Sequence, residues 1–211
     1  MENPIGLAYT NDNLTTDINL QASAWVNVQL ARGLVFRTHG GFDRWAQNNY
    51  NFTLPYRMGM HRSNDTTILG ESNQFTRRFL AENTLTYMLT LGKHSFNVMA
   101  GVTSETSYNR SLQGRGEGMA LTNRVLVAAT TNVTATGRNE EWAMFSLLGR
   151  INYNFDDRFL ITANVRRDGS SRFHEENRYG VFPSISAAWR ISQEPFIKNG
   201  APFISDLKIR G

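Results

Sequence analysis

The stretch LLGRINYNFDDRFLITANVRRDGSSRFHEENRYGVFPSISAAWRIS, residues Leu147 to Ser192, decides the fold. From Arg158 to Asp168 apolar and polar residues alternate. Phe159, Ile161, Ala163 and Val165 fall on one side, and Thr162, Asn164, Arg166 and Asp168 on the other. A period of two places these sets on opposite faces of a β-strand. The segment before it sets Phe145, Leu147, Ile151 and Tyr153 against Ser146, Arg150, Asn152 and Asn154. The segment after it sets Val181, Ile185, Ala187, Trp189 and Ile191 against Ser184, Ser186, Arg190 and Ser192. A tight turn at Asp156 and Asp157 joins the first two segments, and a longer polar loop from Gly169 to Tyr179 joins the last two. Strands apolar on one face and polar on the other, joined alternately by short and long connections, spell the wall of a transmembrane β-barrel.

The rest of the chain follows the same grammar. Asp17 to Leu30 alternates, and Ala31-Arg32-Gly33 closes a hairpin in which Gly33 is free to take positive φ. The return strand carries Leu34, Phe36, Thr38, Gly40 and Phe42. Phe75–Leu91 and His94–Thr103 form a second hairpin around Gly92-Lys93, glycine first as a type II′ turn requires. Residues 44–70 and 104–138, rich in Asn, Ser, Thr and Gly, read as long loops, with Leu121–Val133 apolar enough for a hairpin or helix of its own. Residues 193–203 form a connector, and a further strand starts near Ser205. The expected architecture is all-β: an antiparallel barrel wall of about seven full strands plus a partial one, not closed within residues 1–211. Aromatics gather at both ends of the strands, with Trp45, Tyr50, Phe52, Phe75, Tyr108, Trp142, Tyr179 and Phe182 near the long loops. Tyr153, Phe155, Phe159 and Trp189 lie near the short turns, the placement two membrane interfaces favour.

Composition agrees. No run approaches the roughly 18 apolar residues a membrane helix needs, whereas a barrel strand crosses with about 9–11. The 211 residues contain no cysteine, so there is neither a disulfide framework nor thiol chemistry. The net charge of +4 is scattered along alternating strands rather than gathered into a basic run, which argues against nucleic acid. Met1–Thr10 lacks the basic and apolar regions of a signal peptide. Asp206–Arg210 begins another alternating segment at the end of the sequence, so the expectation is an internal piece of a longer exported protein.

Asp168–Phe173 (DGSSRF), Asn177–Gly180 (NRYG) and Phe182–Phe196 (FPSISAAWRISQEPF) resemble the C-terminal barrel region of the SusC/RagA family of TonB-linked outer membrane transporters. Gly149–Phe159, Ser205–Gly211, Glu82–Tyr87 and Leu91–His94 fit the same pattern. The resemblance implies a partial TonB-dependent receptor barrel over residues 1–211, without plug or signal peptide, in the cell outer membrane. It further implies a SusD-type surface lipoprotein and the TonB system as partners, and a glycan or oligopeptide as cargo. The alternative is a small self-contained barrel with a structural or adhesive role, which needs a signal peptide and a closing strand.

No catalytic chemistry is expected. His174-Glu175 lacks the second histidine of a zinc-protease helix. His39, His61, His94 and His174 fall in separate elements and suggest no metal site, and no cofactor motif is present. Gly114–Gly118 (GRGEG) has the glycines of a phosphate loop without its strand-to-helix context, so it reads as a flexible loop. Arg172, His174, Glu175, Glu176 and Arg178 read as charges paired within a surface loop. The candidate ligand contacts are Trp25, Arg37, Asn97, Arg150, Asn164, Arg166 and Arg190, which alternate onto the polar, lumenal face. Trp45, Tyr50, Tyr108 and Tyr179, near the loops, are candidates to stack on a sugar or peptide.

Overall fold

The computed structural model describes residues 8–58, 62–201 and 203–211, with Met58 and Arg62 described by backbone alone. His61 and Pro202 lie outside that set. Eight strands form one sheet in the order β1 (Asn11–Ala31), β2 (Leu34–Thr53), β5 (Ile68–Leu91), β6 (His94–Glu117), β7 (Thr131–Phe155), β8 (Phe159–Ser170), β9 (Tyr179–Arg190) and β10 (Lys208–Arg210). Two short strands, β3 (Tyr56–Met58) and β4 (Arg62–Asn64), pair with each other in the connection between β2 and β5. Seven long strands and a short eighth are the expected architecture, and β1 and β10 close no ring with each other.

Several expectations fail here. The regions 44–70 and 104–138 are mostly strand: β2 runs to Thr53, β5 starts at Ile68, β6 runs to Glu117 and β7 starts at Thr131. GRGEG likewise belongs to the end of β6, with Gly118 at φ +79° turning the chain out of it. The physical reason is that ladder hydrogen bonds belong to the backbone. Hydroxyl and amide side chains on both faces erase the hydrophobic alternation without removing the ladder. Of Leu121–Val133, only Leu126–Ala128 forms a 3₁₀ turn, and Thr131–Val133 joins β7. Ile191 leaves β9 for a 3₁₀ turn, and the following connector holds a single short helix, α1 (Pro195–Gly200), with proline in its first turn.

The turns set the register. Gly33 takes φ +78° and Gly92 φ +58°, and Asp156 and Asp157 both sit at φ +54° with Arg158 N–H donating to Phe155 O at 2.9 Å. Asp tolerates this left-handed region because its short side chain bonds locally. A Cβ on Gly33 would stand 2.3 Å from Met88 O. Gly33→Ala is therefore expected to cost more than the roughly 1–2 kcal/mol of left-handed strain alone, read as a lowered urea midpoint of the barrel in micelles.

The chain clusters into two compact units. One comprises residues up to Ala22, Phe42–Arg78 and Ser107–Glu141; the other comprises Ser23–Gly41, Phe79–Thr106 and Trp142–Gly211. In the first, Phe52 and Leu69 are fully buried and Met119 nearly so, with Tyr50, Leu54, Leu126, Ala128 and Ala129 packed against them. This core forms where the segment between β6 and β7 folds back onto the sheet. Thr67 Oγ1 donates to Met119 O at 2.6 Å and Arg124 lies 4.4 Å over the Phe52 ring.

Candidate functional site

In the second unit the two faces separate by chemistry. On the polar face Arg150 Nε donates to Asn164 Oδ1 at 2.7 Å, and Asn164 Nδ2 donates to Ser184 Oγ at 3.1 Å. Thr162 Oγ1 donates to Asn152 Oδ1 at 2.9 Å, and Arg166 meets Asp168 at 2.5 Å and Ser146 at 3.2 Å. These bonds run across β7, β8 and β9 because the register sets Arg150 opposite Asn164 and Asn164 opposite Ser184. Arg37 lies 6.0 Å from the Trp25 ring, and His39 Nδ1 meets Glu82 Oε2 at 2.9 Å. Asn97 and Arg190 fall on this face by alternation; the Arg190 Nε is buried without a partner among the described residues.

The opposite face is bounded by aromatic rows. Phe155, Phe159 and Trp189 stand in one register row, with Phe155 and Phe159 ring centroids 6.5 Å apart and Phe159 and Trp189 6.2 Å apart and nearly parallel. His94, Phe96 and Tyr153 extend it along β6 and β7. Ten residues up β7, Phe145 and Tyr179 share a row through Gly169. Ten residues span about 34 Å of antiparallel strand. At the 35–45° tilt of membrane barrels that becomes about 24–28 Å along the normal, matching an apolar band of about 25 Å. Between the rows lie Leu147, Ile151, Ile161, Val165 and Ile185, all exposed.

Of the aromatics assigned to the long-loop end, Tyr179 keeps that position. Trp45, Tyr50 and Phe52 lie within β2 and Phe75 and Tyr108 within β5 and β6, because these strands continue past the expected loops. Phe52 has no exposed surface to offer an interface. Trp142 and Phe182 sit at positions of the polar face, set by the pairing of Phe182 with Arg166.

In the first unit, amides and hydroxyls form a cross-strand ladder on the polar face. It pairs Asn11 with Thr53 at 2.8 Å, Thr15 with Asn49 at 2.9 Å, Asp17 with Gln47 at 2.9 Å and Gln21 with Asp43 at 2.8 Å. Trp45 alternates onto this ladder's face. A 460 Å³ depression nearby is lined by Asn51, Gly70, Ser72, Gln113, Arg115 and Thr134. Hydrogen bonds from Asn132 and then Arg115 hold the Glu117 carboxyl below its ordinary range. Tyr50 points the other way, lining a 420 Å³ cleft with Leu14, Asn73, Leu112 and Leu126. Tyr108 shares that face, 5.5 Å from Phe75 with Arg77 4.8 Å over its ring. Tyr179, in the second unit, is also on the apolar side, under Arg167 at 4.4 Å.

Sequence reasoning missed the amide ladder and the depression, because both lie where strand was read as loop. It also missed a network among the turns. Lys93 meets Asp156 at 2.9 Å, Asp156 meets Arg158 at 3.1 Å, and Arg158 meets Glu194 at 3.2 Å. The Lys93 hydrogen bond holds the Asp156 carboxyl below its usual range. Glu194 also accepts from Trp189 Nε1 at 3.1 Å. In the loop after β8, Arg172 lies 5.1 Å over the Trp142 ring, and Glu175–Asn177 form a 3₁₀ turn. No group of three or more potential metal-ligating side chains occurs among the described residues; His61 lies outside them.

The sequence profile described as TonB dependent receptor-like, beta-barrel, matches residues 3–210. The chain belongs to this family. A TonB-dependent receptor of Formosa agariphila is 31% identical over 99% of the chain and 20% of its own length. The TonB-dependent receptor SusC of Bacteroides thetaiotaomicron is 36% identical over 59% of the chain and 12% of its own length. In the structure of the RagAB peptide transporter, a chain superposes with a TM-score of 0.88 at 21% identity, over 96% of this chain and 23% of that one. The "open-open" state of the RagAB peptide importer superposes at 0.87. The chain thus spans about a fifth of the length of the curated relatives that it matches from end to end. It is a SusC/RagA-like stretch of a TonB-dependent receptor barrel.

Proposed function

We propose that this chain forms part of the wall of a TonB-dependent importer that takes up glycans or oligopeptides together with a SusD-type surface lipoprotein. The observation that carries the reading is the division of the strands into an apolar face bounded by aromatic rows about one membrane thickness apart and a hydrogen-bonded polar face behind it. In this reading the apolar face meets lipid. Trp25, Arg37, Trp45, Asn97, Arg150, Asn164, Arg166 and Arg190 line the lumen, where water and cargo replace lipid. Trp25 and Trp45 are the stacking surfaces for a sugar ring or peptide side chain. Tyr50, Tyr108 and Tyr179 point to the other side of the wall and take no part in the lumen.

Amides and hydroxyls that already bond one another across strands can exchange those bonds for bonds to a polar cargo at little net cost, since each hydrogen bond contributes only about 0.5–1.5 kcal/mol net. The test is uptake by cells carrying the complete receptor, measured with labelled oligosaccharides and oligopeptides. Deletion of the receptor should abolish energised uptake of one of the two classes, and Trp25→Ala with Trp45→Ala should reduce it while leaving the barrel folded. Unchanged uptake of both classes in the deletion strain would refute the reading.

A further inference from the structure

The strand β7 outruns its neighbour. Its pairing with β8 begins at Met144 opposite Ser170, and the last link above it joins Ala143 to Ser171: Ser171 N–H donates to Ala143 O at 2.9 Å and Ala143 N–H to Ser171 Oγ at 2.8 Å. Residues from Thr131 to Trp142 have β6 on one side and, among the described residues, no strand on the other. Both lateral neighbours of β7 in the sheet, β6 and β8, are among the described strands.

The two links at Ala143 also fix which main-chain groups face outward. Both the N–H and the C=O of Ala143 point toward β8, and strand groups alternate sides at every residue. Glu141, Asn139, Gly137, Ala135 and Val133 therefore direct their N–H and C=O groups to the open side. The even residues turn toward β6, as Asp156 just past the other end of β7 does in donating to Lys93 O at 2.8 Å. All five outward residues are exposed. Ala135 and Gly137, at the centre, add almost no bulk, so a second backbone can approach without displacing side chains. Proteins usually protect such an edge with a covering element, proline, or closely spaced charge. Here Val133–Gly137 (VTATG) carries no charge and no proline, and the charges of the edge are confined to Arg138, Glu140 and Glu141 at its β8 end.

We propose that Val133–Glu141 is a strand-addition edge that takes an extended segment of the surface lipoprotein, pairing main chain to main chain in continuation of the sheet. The matching surface is a row of amides, which selects an extended polypeptide rather than a glycan. It lies at the end of the strands away from the tight turns, the side on which such barrels carry their long extracellular loops. The proposal rests on the lipoprotein reading above.

The test uses the complete receptor purified with and without its lipoprotein. In the complex, hydrogen exchange at Val133, Ala135, Gly137, Asn139 and Glu141 should slow, while the even-numbered amides already bonded to β6 stay as they were. Ala135→Pro with Asn139→Pro removes two outward N–H groups and leaves the ladder to β6 intact. It should weaken the lipoprotein by on the order of tenfold or more, the scale of two lost hydrogen bonds. Ala135→Val with Asn139→Val keeps both N–H groups and should bind as the unsubstituted receptor does. A complex that forms with the five amides exchanging at the free rate overturns the strand-addition edge and leaves the partner reading standing. Failure of the unsubstituted receptor to bind the lipoprotein overturns both.

Discussion

Arginine at Val165 is expected to destabilise the barrel by about 2–4 kcal/mol, whereas arginine at Ser184 should change it by less than about 1 kcal/mol. The two positions lie at nearly the same height, since Val165 pairs with Pro183 and Asn164 with Ser184, but their side chains leave opposite faces. Val165 is four residues below the Gly169 row and six above the Phe159 row, close to the middle of the apolar band. With the apolar face against lipid, as proposed above, a guanidinium there has only hydrocarbon around it. Ser184 stands beside Asn164 on the hydrogen-bonded face, where a guanidinium finds acceptors. Ile161→Arg, two residues from the Phe159 row, should cost less than Val165→Arg because its stem can carry the charge to the interface. Urea midpoints of the complete receptor in lipid vesicles give all three values. Equal costs at Val165 and Ser184 would mean the apolar face does not meet lipid.

Phe52→Ala should open the packing of the segment between β6 and β7. Phe52 has no exposed surface, packs with Leu69 and Met119, and carries Arg124 over its ring. Truncating a buried phenylalanine costs about 3–5 kcal/mol. Here the loss falls on one local cluster, so the expected outcome is release of the segment rather than collapse of the sheet. Trypsin cleavage after Arg124 reports it directly. The rate should rise by on the order of a hundredfold or more if the full cost appears as local opening. Phe52→Leu, which refills most of the volume, should restore most of the resistance. A Phe52→Ala receptor as resistant as the parent would show that the segment is held by other contacts, such as Arg124 to Asp12 at 3.1 Å.

The second unit was legible because its strands set an apolar face against a hydrogen-bonded polar one. Ile161, Ala163 and Val165 against Thr162, Asn164 and Arg166 could be assigned to faces from the sequence, and the register bears the assignment out. Gly33, Gly92 and the Asp156-Asp157 pair marked their turns because few other residues accept positive φ. What stayed illegible was the continuation of β2, β5, β6 and β7. A ladder of amides and hydroxyls has no hydrophobic period, and Gln47-Asn48-Asn49 looks the same in a strand as in a loop. The faces of Tyr50 and Tyr108 stayed unread for the same reason: with the strand ends unplaced, nearness to a loop stood in for the face each side chain leaves. Counting along β2 from Gly33 would have placed Tyr50 with Phe36 and Phe42 rather than with Trp45. The pairing of His39 with Glu82 needed the alignment of β2 against β5, which crosses the β3–β4 connection and leaves no local mark in the chain.

Every strand of the main sheet lies beside the one that precedes it there in the sequence. Pairing can therefore advance hairpin by hairpin, and each step closes a loop no longer than one connection, so its entropic cost does not grow with the number of strands already in place. Tight turns at Gly33, Gly92 and Asp156 keep three of those closures near their minimum, the condition under which contacts form quickly. Each arriving strand covers one open edge and supplies another. Apart from the open margin of β7 at Val133–Glu141, a growing wall of this kind carries two exposed edges after its first hairpin and still carries two after its last, so the hazard of mispairing at those edges stays constant during assembly instead of accumulating.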